Sequence, residues 1–209
     1  ENGVHLYLGN AQETLAKFID DVDKPAQIST TAAPKAAKSN ENYAAQLKSA
    51  KEVIIVPGYG MAIAQAQHLV KKLADKLTAN GTKVKYAVHP VAGRMPGHMN
   101  VLLCEANVEY EDLYEMENIN PEFKNADAAI VIGANDVLNP AAREAEGTPI
   151  YGMPVLSVDE CKNIYIFNYD LKPGYAGVEN PLYTRENGVH LYLGNAQETL
   201  AKFIDDMDK

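Results

Sequence analysis

Short apolar runs alternate along this chain with segments whose apolar residues recur at helical spacing. The apolar runs predict strands at 53–56, 83–88, 112–116, 128–132, 154–158, 164–167 and 189–193. Their apolar residues often occupy successive positions, which is typical of parallel strands that helices cover on both faces. Strands that alternate with helices in this way predict a single α/β domain with a doubly wound parallel sheet, Rossmann-like, whose ligand binds beyond the carboxyl ends of the strands.

The helical segments follow the first, second, fourth and last of the main strands. The first is predicted as one helix that begins near Met61 and ends at Asn80-Gly81, a common helix stop. It carries one apolar stripe formed by Ala66, Leu69, Val70, Leu73 and Leu77. Further helices are predicted around 98–106, near 139–145 and after Asn195.

The two ends of the chain carry nearly the same sequence. Residues 1–24 recur at 186–209 with one change, Val22 against Met207. Each copy predicts a strand and then a helix, which Asn195 and Glu198 can cap in the second copy. That helix has an apolar stripe of Leu200, Phe203, Ile204 and Met207.

Only one copy of this repeat can occupy a given place in a domain. Three explanations stay open: a slice of a tandem array, an engineered or permuted chain, or a swapped oligomer such as a homodimer. Residues 25–42 are rich in Ala, Pro, Ser, Thr and Lys and predict a linker, which leaves 43–209 as the domain.

Composition narrows the class of protein. Apolar residues make up 46% and charged residues 22% of the chain, as in ordinary globular proteins. No apolar run approaches the roughly 20 residues of a membrane span, and no leader is predicted. The net charge of -9 argues against nucleic acid as a partner. Cys104 and Cys161 lack metal-ligand spacing and are predicted as free thiols.

A glycine-rich loop follows the first strand of the domain. Gly58 and Gly60 allow a tight turn and a close approach of backbone to a pyrophosphate, while Met61 and Ala62 open the helix that follows. The third fingerprint position, where Gly or Ala is usual, holds Ile63. A glycine pair between a strand and a helix therefore predicts a dinucleotide site.

The loop after the second strand, 89–98, bears on the type of dinucleotide. An acidic residue usually holds the NAD ribose at this strand end, and none lies between Val84 and Val91, which favours NADP. Arg94 is either a phosphate ligand or a solvated surface residue. His89 and His98 have no third ligand at a useful spacing, so hydrogen-bonding roles are predicted and no metal site.

Two later loops complete the candidate site. Asp136, in the segment 133–140 after the fourth main strand, is predicted to lie close to a ligand, with capping of the next helix as the alternative. Residues 171–181 are rich in Gly and Pro and predict an ordered flap over a ligand, with a surface loop as the alternative.

Five motifs in order carry a family resemblance: PGYGMAIAQAQ, HPVAGRMPGHMNVLL, VIGANDVLNPAA, GMPVL and GYAGVENPL. From about residue 43 to 209 the chain resembles domain III, the NADP(H)-binding C-terminal domain of the beta subunit of proton-translocating NAD(P) transhydrogenase. The resemblance implies a Re/Si-specific transhydrogenase in which NADP(H) exchanges hydride directly with NAD(H) on a partner domain I. It further implies activity only with that partner, a membrane domain II that couples proton movement, and a soluble domain peripheral to a membrane, on the bacterial cytoplasmic or mitochondrial matrix side.

The resemblance also implies the site residues. The family's cofactor contacts fall on Tyr59, on Val91, Ala92, Gly93, Arg94, Met95 and Pro96, on Gly133, Ala134, Asn135, Asp136 and Val137, on Gly152 and Met153, on Tyr175, and on Asn195 and Ala196. Among these, Asp136 is the candidate catalytic residue near the nicotinamide. The implied role of the domain is positioning of a reactive ring, without covalent chemistry by side chains.

One motif departs from the family. Where the family usually has Lys-Arg-Ser to hold the 2′-phosphate of NADP, this chain has Asn168-Tyr169-Asp170, followed by Leu171, Lys172, Pro173 and Gly174. Losing two charge-assisted contacts is expected to weaken NADP binding on the order of a hundredfold. Lys172 is a candidate replacement cation. NADP(H) is therefore the expected cofactor, with NAD(H) left open.

Two other functions stay open at this level. A stand-alone NAD(P)-dependent dehydrogenase needs its own proton donor, such as a Tyr-x-x-x-Lys pair, and no tyrosine here has a lysine four residues later. A non-catalytic NAD(P)-binding or redox-sensing module fits the same motifs. Activity that requires a purified domain I distinguishes the transhydrogenase from both.

Overall fold

The strands of the domain all run in the same direction. The computed structural model describes residues 43–208, so the predictions for the front repeat copy, the linker and Lys209 lie outside the described residues. The strands are β1 (Glu52–Pro57), β2 (Lys83–Val88), β3 (Leu113–Glu115), β4 (Ala128–Ile132), β5 (Ile164–Asn168) and β6 (Val189–Leu193). The helices are α1 (Tyr43–Lys48), α2 (Tyr59–Ile63), α3 (Gln67–Ala79), α4 (His98–Glu105), α5 (Met116–Ile119), α6 (Ala141–Glu144) and α7 (Ala196–Asp206).

The strand order places the first strand in the middle of the sheet. Six parallel strands pair in the order β3-β2-β1-β4-β5-β6. The chain builds outward from β1 to β3 and then returns to start β4 on the other side of β1. The predicted doubly wound, Rossmann-like α/β sheet is confirmed, and its order reverses between β1 and β4, where such sheets open a ligand crevice.

Both faces of the sheet are covered, which explains the apolar runs. Val53 and Ile55 face one core, shared with α3 and α7, while Ile54 and Val56 face a second core that includes Phe123. All four side chains are fully buried. A strand buried on both faces needs apolar residues at successive positions rather than at alternate ones.

The segment 154–158 was wrongly predicted as a strand. It is largely buried but lies outside the sheet, because its hydrogen bonds go to loops: Leu156 N–H donates to the Val137 carbonyl (2.9 Å) and Ser157 N–H to the Asn120 side chain (2.9 Å). The Asn120 amide donates in turn to the Val155 carbonyl (3.0 Å). The apolar run at 154–158 therefore indicates that the segment is buried, and it does not indicate that the segment pairs as a strand.

The predicted first helix is interrupted. The five-residue α2 stops at Ile63, and α3 begins at Gln67 after Gln65, whose φ of 51° lies in the left-handed region. A single helix through this segment was wrong, because a left-handed residue cannot continue a right-handed helix. The predicted stop is confirmed: α3 ends at Ala79, and Gly81 has a φ of 89°.

The second repeat copy forms β6 and α7 at one edge of the sheet. Asn195 caps α7 as predicted, since its side chain accepts a hydrogen bond from Gln197 N–H (2.8 Å). The whole predicted stripe is buried, and the Phe203 ring packs edge-on against Tyr165, Phe167 and Tyr192. Among the helices between residues 43 and 208, none combines the length and apolar character that crossing a bilayer requires.

Candidate nucleotide site

The loops after β1 and β4 touch each other where the strand order reverses. Gly58 N–H donates to the Ile132 carbonyl and Gly60 N–H to the Gly133 carbonyl, both at 2.8 Å. A Cβ atom on Gly58 would lie 2.3 Å from the Gly133 oxygen. The structure thus brings three predicted glycines together, and contact between two loops is one physical reason for them. Contact with a pyrophosphate stays a prediction.

The helix that follows the glycine loop differs from the expected one. The short helix α2, with five residues, begins next to this loop. The long helix α3 begins only at Gln67. Met61 N–H donates to the Gly58 carbonyl (3.1 Å) and its side chain is buried. The prediction that a long helix begins near Met61 and directs its dipole at this loop was therefore wrong.

The loop after β2 reaches the glycine loop through Arg94. The Arg94 guanidinium lies over the Tyr59 ring, 4.6 Å from its centre, which is a cation–π geometry. Arg94 N–H donates to His98 Nδ1 (3.1 Å), and Gly93, with a φ of 100°, packs against the same imidazole. Two motifs predicted separately are thereby placed side by side.

His89 joins the β2 loop to the segment that contains Gly152 and Met153. Its buried ring contacts the Pro154 carbonyl through Nε2 (2.7 Å) and Val91 N–H through Nδ1 (3.2 Å). Burial lowers the pKa of His89. The predicted hydrogen-bonding roles of His89 and His98 are confirmed. Across residues 43–208, no three His, Cys, Asp or Glu side chains are grouped so that they could hold a metal ion.

Asp136 holds the predicted flap rather than a helix end. Its Oδ2 accepts a hydrogen bond from Ala176 N–H (2.9 Å), and a Cβ atom on Gly174 would lie 2.4 Å from its Oδ1. The alternative of capping the next helix was wrong for Asp136, because its carboxylate is engaged by residues 174–176 instead. Its Oδ1 is buried without a hydrogen-bond partner among the described residues, so the carboxylate keeps one acceptor position.

Asparagine side chains order the rest of the flap. Asn135 donates to the Lys172 carbonyl (2.9 Å), Asn180 donates to Asn135 Oδ1 (3.1 Å), and Asn139 donates to the Glu179 carbonyl (3.2 Å). Sequence reasoning missed Asn139 and Asn180, both buried. The available signal was their position beside Pro140 and Pro181, because an Asn that precedes Pro often bonds the backbone of a turn.

The segment Asn168-Tyr169-Asp170 begins with an inward-facing side chain. Asn168 is buried and donates to the Ala134 carbonyl (3.0 Å) and to the Tyr183 hydroxyl (2.9 Å). Burial raises the pKa of Tyr183. Asn168 therefore ties β5 to the loop after β4 and does not extend outward as a phosphate ligand would.

The next residues of that segment are exposed. Tyr169 is 75% exposed, and the Asp170 carboxylate accepts a hydrogen bond from Lys172 N–H (3.0 Å). Its other oxygen lies 3.7 Å from Lys172 Nζ. The candidate replacement cation thus has a carboxylate beside it, which reduces the positive potential that Lys172 offers to an anion.

The remaining predicted residues lie around the same edge of the sheet. Val91, Met95 and Tyr175 have exposed side chains, and Ala196 is buried at the start of α7. A cleft of about 480 Å³ adjoins the loop after β2 and includes Pro90, Pro96 and Tyr114 in its wall. The loops after five of the strands, β1, β2, β4, β5 and β6, therefore gather at one rim.

Charged and polar groups are distributed along this rim. Exposed side chains and glycine backbone at the rim suit a long, partly polar ligand. Arg94 stands on the β2 side of the rim and Lys172 on the β5 side. A 2′-phosphate placed at the β5 side would meet Asp170 together with Lys172.

The chain is similar to one family of known proteins. A family model described as NAD(P) transhydrogenase beta subunit matches residues 9–206. NAD(P) transhydrogenase subunit beta of Rhodospirillum rubrum is 52% identical over 172 residues, which cover 82% of this chain and 37% of that protein. The protein of the same description from a particular strain of that species gives the same values. The chain thus spans 37% of the length of these relatives.

The chain also shows similarity to a solved structure. An exopolyphosphatase-related protein from Bacteroides fragilis aligns with 77% of this chain and 41% of its own, with 18% sequence identity and a TM-score of 0.41. A match at that level carries no argument about this chain.

Proposed function

The chain belongs to the NAD(P) transhydrogenase beta subunit family, and from that premise we propose that it binds NADP(H) at the carboxyl rim of its sheet and positions it for hydride exchange with NAD(H). The contact between the glycine loop and the Gly133 loop at the strand-order reversal carries the proposal. When bound, the dinucleotide supplies the hydride or accepts it. The protein's contribution is to fix the position of the reactive ring.

The residues of the rim divide into binding and positioning roles. Arg94, stacked on Tyr59, offers a positive charge to the pyrophosphate. Gly58, Gly60 and Gly133 keep the two central loops close enough to form one floor. Asp136 was the candidate catalytic residue, and its contacts favour a positioning role in which it holds the flap over the ligand.

We propose that NADP(H) is held without a strong 2′-phosphate site at the end of β5. Asn168 faces inward and Asp170 neutralises part of the charge of Lys172, so NADP(H) and NAD(H) should differ little in affinity. Replacement of Asp170 by Ser should strengthen NADPH binding about fivefold, equivalent to about 1 kcal/mol for removing a repulsive charge near a half-exposed site. NADH binding should change less.

Competitive titrations with NADPH and NADH test this specificity. Glu160→Ser is the matched control, because it removes the same charge before β5, at the opposite end of that strand. A wild-type preference for NADH would overturn NADP(H) as the cofactor. Tighter NADPH binding by Glu160→Ser as well would show a general effect of net charge rather than an effect of Asp170.

The proposed partners are an NAD(H)-binding domain I and a membrane domain II, which places this domain beside a membrane. The reaction is proposed to be Re/Si-specific and to require domain I. Mixing the chain with purified domain I, NADH and a thio-analogue of NADP+ should give hydride exchange, with none for either protein alone. Turnover by the chain alone would contradict the proposal and favour a self-sufficient dehydrogenase.

A further inference from the structure

The two edges of the sheet differ in how they are protected. One edge is β3, which has three residues and lies among the acidic side chains of Glu111, Asp112 and Glu117. The other edge is β6, which has five residues and contains no Pro, Asp, Glu, Lys or Arg. Natural sheets usually protect an edge by shortening it or by placing charges on it, because unpaired backbone groups there bind another strand readily. The sequence of β6 provides neither protection.

The outer side of β6 presents backbone groups to a further strand. Ile164 N–H donates to the Gly188 carbonyl (2.7 Å), which fixes the side of β6 that faces β5. Because successive residues of a strand direct their backbone groups to opposite sides, those of Val189, Leu191 and Leu193 point away from β5. Among the described strands, β6 pairs only with β5. All five side chains of β6 are half-buried, whereas those of β5 are buried.

An aromatic row crosses β5 and ends at β6. Phe167 and Tyr192 are register partners, and their rings stack with centres 4.7 Å apart and planes inclined by 12°. The neighbouring pair, Tyr165 and His190, lies with ring centres 4.8 Å apart. Tyr43 already packs on the His190 ring, at 3.9 Å between centres. Tyr192 is therefore the position from which a further strand would continue the row.

The chain contains a segment that matches this edge, the front repeat copy. Residues 4–8 have the same sequence as β6, VHLYL, and predict a strand. Placed parallel to β6 and in register, that strand would bring Tyr7 onto Tyr192, and identical aromatic side chains stack favourably in such an arrangement. Tyr7 N–H would donate to the Leu191 carbonyl, and Leu191 N–H to the His5 carbonyl. One strand sequence thus continues both the aromatic row and the backbone ladder.

The helix predicted after that strand also has a surface to pack on. In the second copy, the Phe203 ring packs edge-on against Phe167 and Tyr192, which belong to adjacent strands. Phe18, the matching residue of the front copy, would meet Tyr192 and Tyr7 in the same way. The front copy would therefore repeat the β6–α7 packing one strand further along the sheet.

We propose that the outer edge of β6 binds residues 4–22 of a second copy of this chain, which add a strand and a helix to the sheet. The second copy can return the same contact, and two such contacts related by a twofold axis close a dimer without further growth. The net charge of -9 on each chain opposes association, so the dimer should be weak, with a Kd on the order of 10–100 µM, and should tighten as salt is raised. The inference does not depend on nucleotide binding.

Sedimentation of the full chain at concentrations from about 5 to 500 µM measures the association. Tyr7→Pro removes the N–H that would donate to Leu191 and should weaken the dimer at least about tenfold. Leu6→Pro is the matched control, because in the same register the N–H at position 6 points away from β6. It should associate within about threefold of wild type. Both positions lie outside the domain, so its thermal unfolding in dilute protein should match wild type and show that neither variant is misfolded.

Hydrogen exchange at low and high protein concentration locates the interface. The Leu191 and Leu193 amides should exchange several times more slowly in concentrated protein, while the Tyr192 amide, which faces β5, should not change. A chain that stays monomeric throughout, with or without protection of these amides, would overturn the proposal. Association that survives Tyr7→Pro would also overturn it and would indicate that two β6 edges pair directly. Equal weakening by Leu6→Pro and Tyr7→Pro would contradict the in-register strand.

Discussion

Replacement of Gly58 by Ala tests the contact on which the site is built. The added Cβ would lie 2.3 Å from the Gly133 oxygen and 2.6 Å from both Ala134 Cα and Cβ. Atoms this close must separate by about 1 Å to reach ordinary van der Waals distance. Because two of the three neighbours are backbone atoms, a side-chain rotation cannot relieve the overlap, and the two loops have to move apart.

The free-energy cost of moving the loops apart has two components, overpacking and a stretched hydrogen bond. Overpacking in a close-packed region costs about 1–3 kcal/mol. Stretching the hydrogen bond from Gly58 N–H to the Ile132 carbonyl adds about 0.5–1.5 kcal/mol. Gly58→Ala should therefore lower the free energy of unfolding by about 2–4 kcal/mol and, by parting the two loops, weaken NADPH binding at least about tenfold.

Gly81→Ala is the matched control for this variant. Gly81 has a φ of 89° and no atom within 4 Å of an added Cβ, so it carries backbone strain without a clash. It lies between α3 and β2, at the amino ends of the strands and so opposite the carboxyl rim. It should lose about 1–2 kcal/mol of stability and keep its affinity for NADPH. Denaturant unfolding and calorimetric titration measure both quantities, and a Gly58→Ala variant with wild-type stability and affinity would refute the reasoning.

Three further variants test the flap and the place of the repeat. Asp136→Ala removes the acceptor of Ala176 N–H and should make residues 171–180 several times more susceptible to limited proteolysis; unchanged cleavage would show that Asp136 does not hold the flap. Phe203→Ala removes a buried ring that packs on three aromatic neighbours and should cost about 3–5 kcal/mol. The same change at Phe18, the matching residue of the front copy, should cost less than about 1 kcal/mol, since 186–208 already form β6 and α7. Equal losses at the two positions would contradict that assignment.

Burial patterns allowed most of the sheet to be predicted from the sequence. Val53 to Val56 and Ala128 to Ile132 are apolar at every position because helices cover both faces of their strands. The same logic failed at 154–158, which is buried without being a strand. Local periodicity reports burial, whereas strand identity depends on which backbone groups supply the hydrogen bonds, and here Val137 and Asn120 supply them.

The loops that form the site could be predicted from the sequence, but the contacts that join these loops could not. Glycine pairs and strand ends marked the loops, because local chain geometry requires those residues. The Asp136 contact with Ala176 and the His89 contact with Pro154 join residues 40 and 65 positions apart. No local pattern encodes such pairings, since they depend on the folded course of both loops. The break at Gln65 was also missed, because the apolar stripe of the predicted helix begins only at Ala66 and no Gly or Pro marks residues 61–66.

Hydrogen exchange with and without NADPH tests the central claim most directly. Dinucleotide binding at the carboxyl rim should slow amide exchange in 57–63, 89–97, 133–138 and 168–176, and leave the opposite edge around Lys51, Asn80 and Asn163 unchanged. Protection confined to that opposite edge, or no protection at saturating NADPH and NADH, would contradict it.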